Sequence, residues 1–170
     1  MLAAALDVFS IVPDYDLDVM RPNQSLNTLM ARQLNGLDDV MKEYRPDIVL
    51  VQGDTATCLT GALAAFQRGI AIGHIEAGLR TDDLERPFPE EGNRQMVSRI
   101  ATWHFAPTQQ AAQRLGQEYL SHSNIYVTGN TVIDALYMAR DILSRHPGKA
   151  KLRGLPTDYK FGARPYILVT

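Results

Sequence analysis

The chain has a single cysteine, Cys58. Neither a disulfide framework nor a cysteine metal site can be built from it within one copy, and a reducing, cytosolic setting is the plain reading. Neither charge sign dominates: 17 Lys and Arg face 19 Asp and Glu, for a net charge of −2 over 170 residues. No block of like charge occurs, so composition gives no support to nucleic-acid binding through a basic face. No apolar run approaches the ~18 residues that a membrane span needs. The first stretch, MLAAALDVF, has no basic leader and contains Asp7, unlike a signal peptide. Phosphate loops of the G-x-G-x-x-G and G-x-x-x-x-G-K-[ST] types are missing too. What is present is globular: 45% hydrophobic and 21% charged residues, close to the average, in a length of about one domain.

Helix and strand signals alternate. Leu26, Leu29, Met30, Leu34, Leu37, Val40, Met41 and Tyr44 recur at helical spacing, and Pro46 follows as a stop signal. The β-branched run 47–52 fits a buried parallel strand. Residues 55–67 read as a helix ending before Gly69, and 70–75 as a second strand. Residues 76–89 have no clear period and hold Gly78, Pro87 and Pro89; a loop of that length in a compact domain is usually functional or disordered. Then come a helix (90–101), a strand (103–106), a helix (108–120), a strand (124–127) and a helix (131–144). This β-α-β-α order predicts an α/β fold with a parallel sheet covered by helices. Residues 1–145 are expected to form a partial domain. Residues 146–164, broken by Pro147, Gly148, Gly154, Pro156 and Gly162, read as an interdomain linker. The last residues, 165–170, read as the first strand of another domain, and MLAAALDVF as the tail of a helix whose preceding strand is absent. The chain is therefore expected to be a fragment of a two-domain protein.

In open parallel sheets, ligands bind beyond the carboxyl ends of the strands. After the first strand comes Gly53-Asp54-Thr55; after the second comes Glu76, with His74 two residues earlier; at the start of the helix after the long loop come Glu90 and Glu91, followed by Asn93 and Arg94. Clustered carboxylates suit general acid and base work, because like charges push at least one pKa upward. Arg80, Arg86 and Arg94, in or beside the same loop, could offset that charge or hold a phosphate. Plainer readings stand beside these. Asp54 directly precedes a helix and could be an N-cap. Glu90 and Glu91 favour the helix dipole. His74, inside an apolar strand, fits a hydrogen-bonded core histidine. Cys58 fits a small packed residue, and Gly129-Asn130-Thr131 a turn and cap. Glu76 is harder to explain structurally.

PDIVLVQGDT, GHIEAGLRT, RPFPEEGNR and VTGNTVIDAL, in this order, resemble the non-hydrolysing UDP-N-acetylglucosamine 2-epimerases from about Phe9 to the end. The resemblance implies interconversion of UDP-N-acetylglucosamine and UDP-N-acetylmannosamine, by elimination of UDP to a 2-acetamidoglucal and re-addition. It implies two Rossmann-like domains in a glycosyltransferase-B-type fold, of which this chain holds an incomplete N-terminal domain. It also implies no metal or other cofactor, a cytoplasmic enzyme serving polysaccharide biosynthesis, no nucleic-acid or membrane partner, and a homodimer for the whole enzyme. By motif, Asp54, Glu76 and Glu90 are the implied catalytic carboxylates, and His74, Arg80 and Arg94 the implied substrate-binding residues. The family's GTRPE-type and GHRRE-type loops have no counterpart within this sequence, so the chain is expected to be inactive alone. Two other readings are a nucleotide-sugar glycosyltransferase domain, disfavoured by EAGLRT and PEEGNR, and a non-catalytic module of epimerase ancestry.

Overall fold

A computed structural model of the protein describes residues 2–118 and 124–146. The expected linker, apart from His146, and the expected strand at 165–170 lie outside the described residues. Ten elements follow one another: α1 Leu2–Phe9, α2 Leu26–Tyr44, β1 Ile48–Gln52, α3 Ala56–Gln67, β2 Ala71–Ile75, α4 Glu90–Ile100, β3 Trp103–Ala106, α5 Gln109–Gln117, β4 Ile125–Val127 and α6 Thr131–Arg145. The chain divides into two compact units, one spanning 13–134, the other 1–12 together with 135–170. Of the second, the described part is α1 and most of α6. The first holds the sheet, α2 to α5 and the start of α6.

Local chemistry sets the ends of these helices. Ser25 caps α2 by accepting from the Thr28 N–H at 3.1 Å, and Arg45, at φ 51°, turns the chain out ahead of Pro46. Thr55 caps α3, its hydroxyl oxygen accepting from the Cys58 N–H at 3.3 Å. Asp54 is thus not the cap, and its carboxylate is left for other work. Thr108 caps α5 in the same way, over the Ala111 N–H.

The four strands are parallel and lie in the order β1-β2-β3-β4. Each crossover moves the same way along the sheet, so right-handed connections put α3, α4 and α5 on one face. Strand residues on that face alternate inward: Val49 and Val51, Ile72 and His74, His104 and Ala106. Met41, Val51, Leu59, Ala62, Ile72 and Val97 form the larger buried cluster. Small residues along α3, among them Gly61, Ala62 and Ala65, let it lie close to both α2 and α4. Ala77, Ala106, Ala111 and Leu115 form a second cluster under α5. Burying one such Ile or Leu contributes about 2 kcal/mol.

The opposite face of the sheet carries Ile48 and Leu50, 41% and 58% exposed, and Tyr126, 46% exposed, the last stacked on Phe105 with ring centroids 6.0 Å apart. A stripe of apolar side chains in water favours association. The 170-residue chain is expected to gain apparent mass with concentration, measured by light scattering behind a sizing column, and Leu50→Lys to lower that mass. A monodisperse monomer at every concentration would contradict this.

Candidate functional site

Parallel pairing places Gln52 opposite Ile75, so the segments after β1 and β2 leave the sheet side by side. The Gly53 N–H closes the ladder by donating to the Ile75 carbonyl at 3.0 Å. Gly53 then turns at φ 77°, a left-handed conformation that glycine adopts without cost. Its carbonyl faces inward, where His74 Nε2 lies at 2.8 Å and Cys58 Sγ donates to it at 3.1 Å. A carbonyl only accepts, so His74 carries its proton on Nε2. The Cys58 thiol suits the donor role: burial, with the Asp54 charge nearby, pushes its pKa up to about 12.

This turn presents Asp54, whose side chain is 30% exposed. Two residues of α4 hold it. Asn93 Nδ2 donates to the Asp54 backbone carbonyl at 2.8 Å, and Arg94 Nε lies 3.5 Å from Asp54 Oδ2. Glu76 follows β2 directly at φ 66°, a left-handed conformation that costs a residue with a Cβ of order 1 kcal/mol or more. Its carboxylate sits over the Gly53 turn; a Cβ added to Gly53 would meet Glu76 Oε2 at 3.9 Å. Glu90 opens α4, three and four residues before Asn93 and Arg94, and so shares their helix face. It is half-buried. Neither Glu76 nor Glu90 has a hydrogen-bond or ion-pair partner among the described residues. Asp54 and Glu76 therefore share one edge of the sheet, and Glu90 lies on the helix face that meets Asp54.

The other expected site residues are placed differently. His74 is fully buried and reaches the site only through the Gly53 carbonyl. Arg80 is turned inward and its guanidinium is committed: Nε and Nη2 to the Glu118 carboxylate at 2.6 and 3.0 Å, Nη1 to the Leu79 carbonyl, and Nη2 also to Ser98 Oγ. Both act as supports for the loop and turn. Arg94 keeps free donors, since neither Nη atom hydrogen-bonds within the described residues; the Arg86 side chain, also in the loop, has no hydrogen-bond or ion-pair partner there either. Sequence reasoning named Glu91 and Asn93 without giving either a site role; Glu91 is fully buried and Asn93 holds the Asp54 backbone. Successive helical residues point about 100° apart, so only one glutamate of the pair can face the mouth; the other must be accommodated inside. The loop from β2 crosses α5 at Gly78, where φ is 90° and a side chain would collide with the Ala111 carbonyl.

The comparisons with known proteins accord with this geometry. Residues 1–170 match the family described as UDP-N-acetylglucosamine 2-epimerase. The chain belongs to the UDP-N-acetylglucosamine 2-epimerase family. Against the epimerase of Escherichia coli K12 it is 52% identical over 141 residues, covering 83% of this chain and 38% of that protein. Against a probable epimerase of Ralstonia nicotianae it is 44% identical over all 170 residues, 45% of that protein. The crystal structure of the Neisseria meningitidis epimerase bound to UDP-GlcNAc superposes with a TM-score of 0.82 at 46% identity, covering 87% of this chain and 40% of that one. The chain thus spans about two fifths of the length of these epimerases.

Two expectations follow from the supports beneath the site. Burial lowers the His104 pKa to about 4, reinforced by His74 and Arg80 and opposed by Glu118. Burial lowers His74 as well, outweighing the Gly53 carbonyl and the Asp54 charge; Arg80 adds to the lowering. Both are neutral when folded at pH 7, whereas the unfolded chain takes up their protons near pH 6.5. Stability is therefore full above pH 7 and falls as the pH drops through 6.5, levelling for His104 near 4. At about 1.4 kcal/mol per pKa unit, His104 alone removes about 3 kcal/mol across that window. Thermal melts from pH 7.5 to 5 should show the decline and His104→Gln should flatten it; a level wild-type profile would refute it. Glu76→Gly should leave unfolding stability within about 1 kcal/mol of the parent, because glycine relieves the left-handed backbone. A larger loss in urea titration would mean that this glutamate serves the fold.

Proposed function

We propose that this chain supplies the acid–base half of a UDP-N-acetylglucosamine 2-epimerase, with Asp54, Glu76 and Glu90 around the sugar C2. What supports the reading is that Asp54 and Glu76 emerge side by side beyond β1 and β2, that Glu90 shares the α4 face of Asn93 and Arg94, and that Glu76 and Glu90 have no protein partners among the described residues, Glu76 at positive φ. A carboxylate that no protein group engages is free to exchange a proton with a bound sugar.

The chemistry asks for such groups. A base takes the C2 proton while the C1–oxygen bond breaks. Its electron pair leaves with UDP, and a C1–C2 double bond forms in the 2-acetamidoglucal. In the return step a carboxylic acid delivers a proton to the other face of C2, and a UDP oxygen re-forms the bond to C1. Inversion needs proton donors and acceptors on both sides of the ring, which a single carboxylate does not provide. The departing diphosphate needs cations nearby; the outer nitrogens of Arg94 are donors available for it. His74 and Arg80 contribute by holding the turn and the loop. The rest of the uridine diphosphate site, cytoplasmic location and a homodimeric assembly belong to the same reading, with the remaining pocket supplied by polypeptide beyond these residues.

The test places these residues in a relative of full length. Residues 1–170 are exchanged for the matched segment of the Ralstonia nicotianae relative, and the assembled enzyme is incubated with UDP-N-acetylglucosamine in D2O. Formation of the manno epimer with deuterium at C2 is expected. Asp54→Asn, Glu76→Gln and Glu90→Gln should each lower kcat by about 10²-fold or more. The 170-residue chain alone should show no turnover. A folded, UDP-binding assembly that incorporates no deuterium would overturn the proposal, and acceptor-dependent transfer of the sugar would replace it with glycosyl transfer.

A further inference from the structure

Arg94 lies between two carboxylates. Its Nε is 3.2 Å from Glu91 Oε2 and 3.5 Å from Asp54 Oδ2, yet it makes a properly directed hydrogen bond to neither. Glu91, by contrast, is firmly seated. Its carboxylate accepts from the Thr81 N–H at 3.1 Å, the Asp82 N–H at 3.3 Å and Gln95 Nε2 at 2.8 Å. A fully buried carboxylate is costly unless it is satisfied in this way. Burial raises its pKa, but the Gln95 amide, the Thr81 N–H, the Arg94 charge and the Asp82 N–H together leave it below the ordinary value. Glu91 is therefore a fixed anion in the first turn of α4, where the helix dipole also favours it.

A guanidinium shared between a fixed anion and an exposed one takes an intermediate place. Without the fixed anion it has one partner left. It would then close on Asp54, satisfy both carboxylate oxygens in the bidentate manner arginine favours, and withdraw that carboxylate from proton transfer. Asn93 holds the Asp54 backbone independently, so the change would fall on the side chain.

We infer that Glu91 is a positioning residue that holds Arg94 back from Asp54 and so keeps the Asp54 carboxylate available. The inference rests on the reading in which Asp54 takes part in epimerisation. It assigns Glu91 no contact with substrate; its effect passes through Arg94 alone.

The test uses the assembled enzyme described above. Glu91→Gln, which preserves shape and can still accept from the loop N–H groups, should lower kcat about tenfold with KM changed less than threefold. The acidic limb of its kcat profile should move to lower pH. A residue that merely stabilises the fold leaves that limb where it is. An unchanged kcat, or an unmoved acidic limb, in Glu91→Gln overturns the inference. Asp54→Asn is the control: if it stays active, the assignment of Asp54 fails, whereas an inactive Asp54→Asn with an indifferent Glu91→Gln defeats only the present inference. If the Glu91→Gln enzyme does not fold, Glu91→Asp replaces it, because the shorter carboxylate draws back from Arg94; a kcat equal to the parent then counts against the inference. The 170-residue chain gives a reading independent of turnover. In a crystal structure of its Glu91→Gln variant, Arg94 should have closed to hydrogen-bonding distance of Asp54, and an Arg94 still in its present place overturns the inference.

Discussion

The peptide of Gly53 is the constraint on which the site depends. Its N–H is bound to the Ile75 carbonyl, and its oxygen faces both His74 Nε2 and Cys58 Sγ. These partners must keep their protons: an Nε2–H on the imidazole and an undissociated thiol. Burial enforces both conditions, lowering His74 and raising Cys58. The residue itself has to be one that turns at positive φ without strain. With the turn pinned, the residue after it projects from the end of β1, next to the residue after β2. The proximity of Asp54 and Glu76 is thus a consequence of parallel register and one immobilised peptide.

Helix α4 completes the arrangement from the other side. Within five residues it presents Glu90 on the face that meets Asp54, buries Glu91 against the loop N–H groups, binds the Asp54 backbone through Asn93 and sets Arg94 beside its carboxylate. The division of labour follows from helical geometry. Residues 90, 93 and 94 share a face, while residue 91 turns inward. The loop between β2 and α4 is held at its start by Gly78 lying over α5, through Arg80 by Glu118 and Ser98, and further on by Glu91. A segment without periodicity is in this way tied to α4 and α5 along its length.

The family likeness and the geometry address different questions. The likeness places the chain among UDP-N-acetylglucosamine 2-epimerases and shows that it spans about two fifths of their length. The geometry separates residues that the motifs treat alike. Two arginines near one loop differ completely in use, one bonded on every nitrogen and the other with its outer nitrogens open. Two adjacent glutamates differ as sharply, one half-buried without partners and the other fully enclosed.

The order of helices and strands was legible from the amino acids, because period, caps and breakers are local. The four described strands came within a residue of their expected bounds, and the β-α-β alternation implied the parallel sheet. That Asp54 and Glu76 would share an edge was legible too, since residues after neighbouring parallel strands must emerge together. The roles of His74, Arg80 and Glu91 were not. A histidine in an apolar strand, an arginine in a loop and a glutamate at a helix start carry no local mark of what they bond to. Their partners, Gly53, Glu118 and the Thr81 N–H, lie 21, 38 and 10 residues away in the chain, and only the packed structure brings them within reach. Nor did local signals tell Thr55 from Asp54 as the cap of α3; the helix starts at Ala56, which puts Thr55 in the capping place.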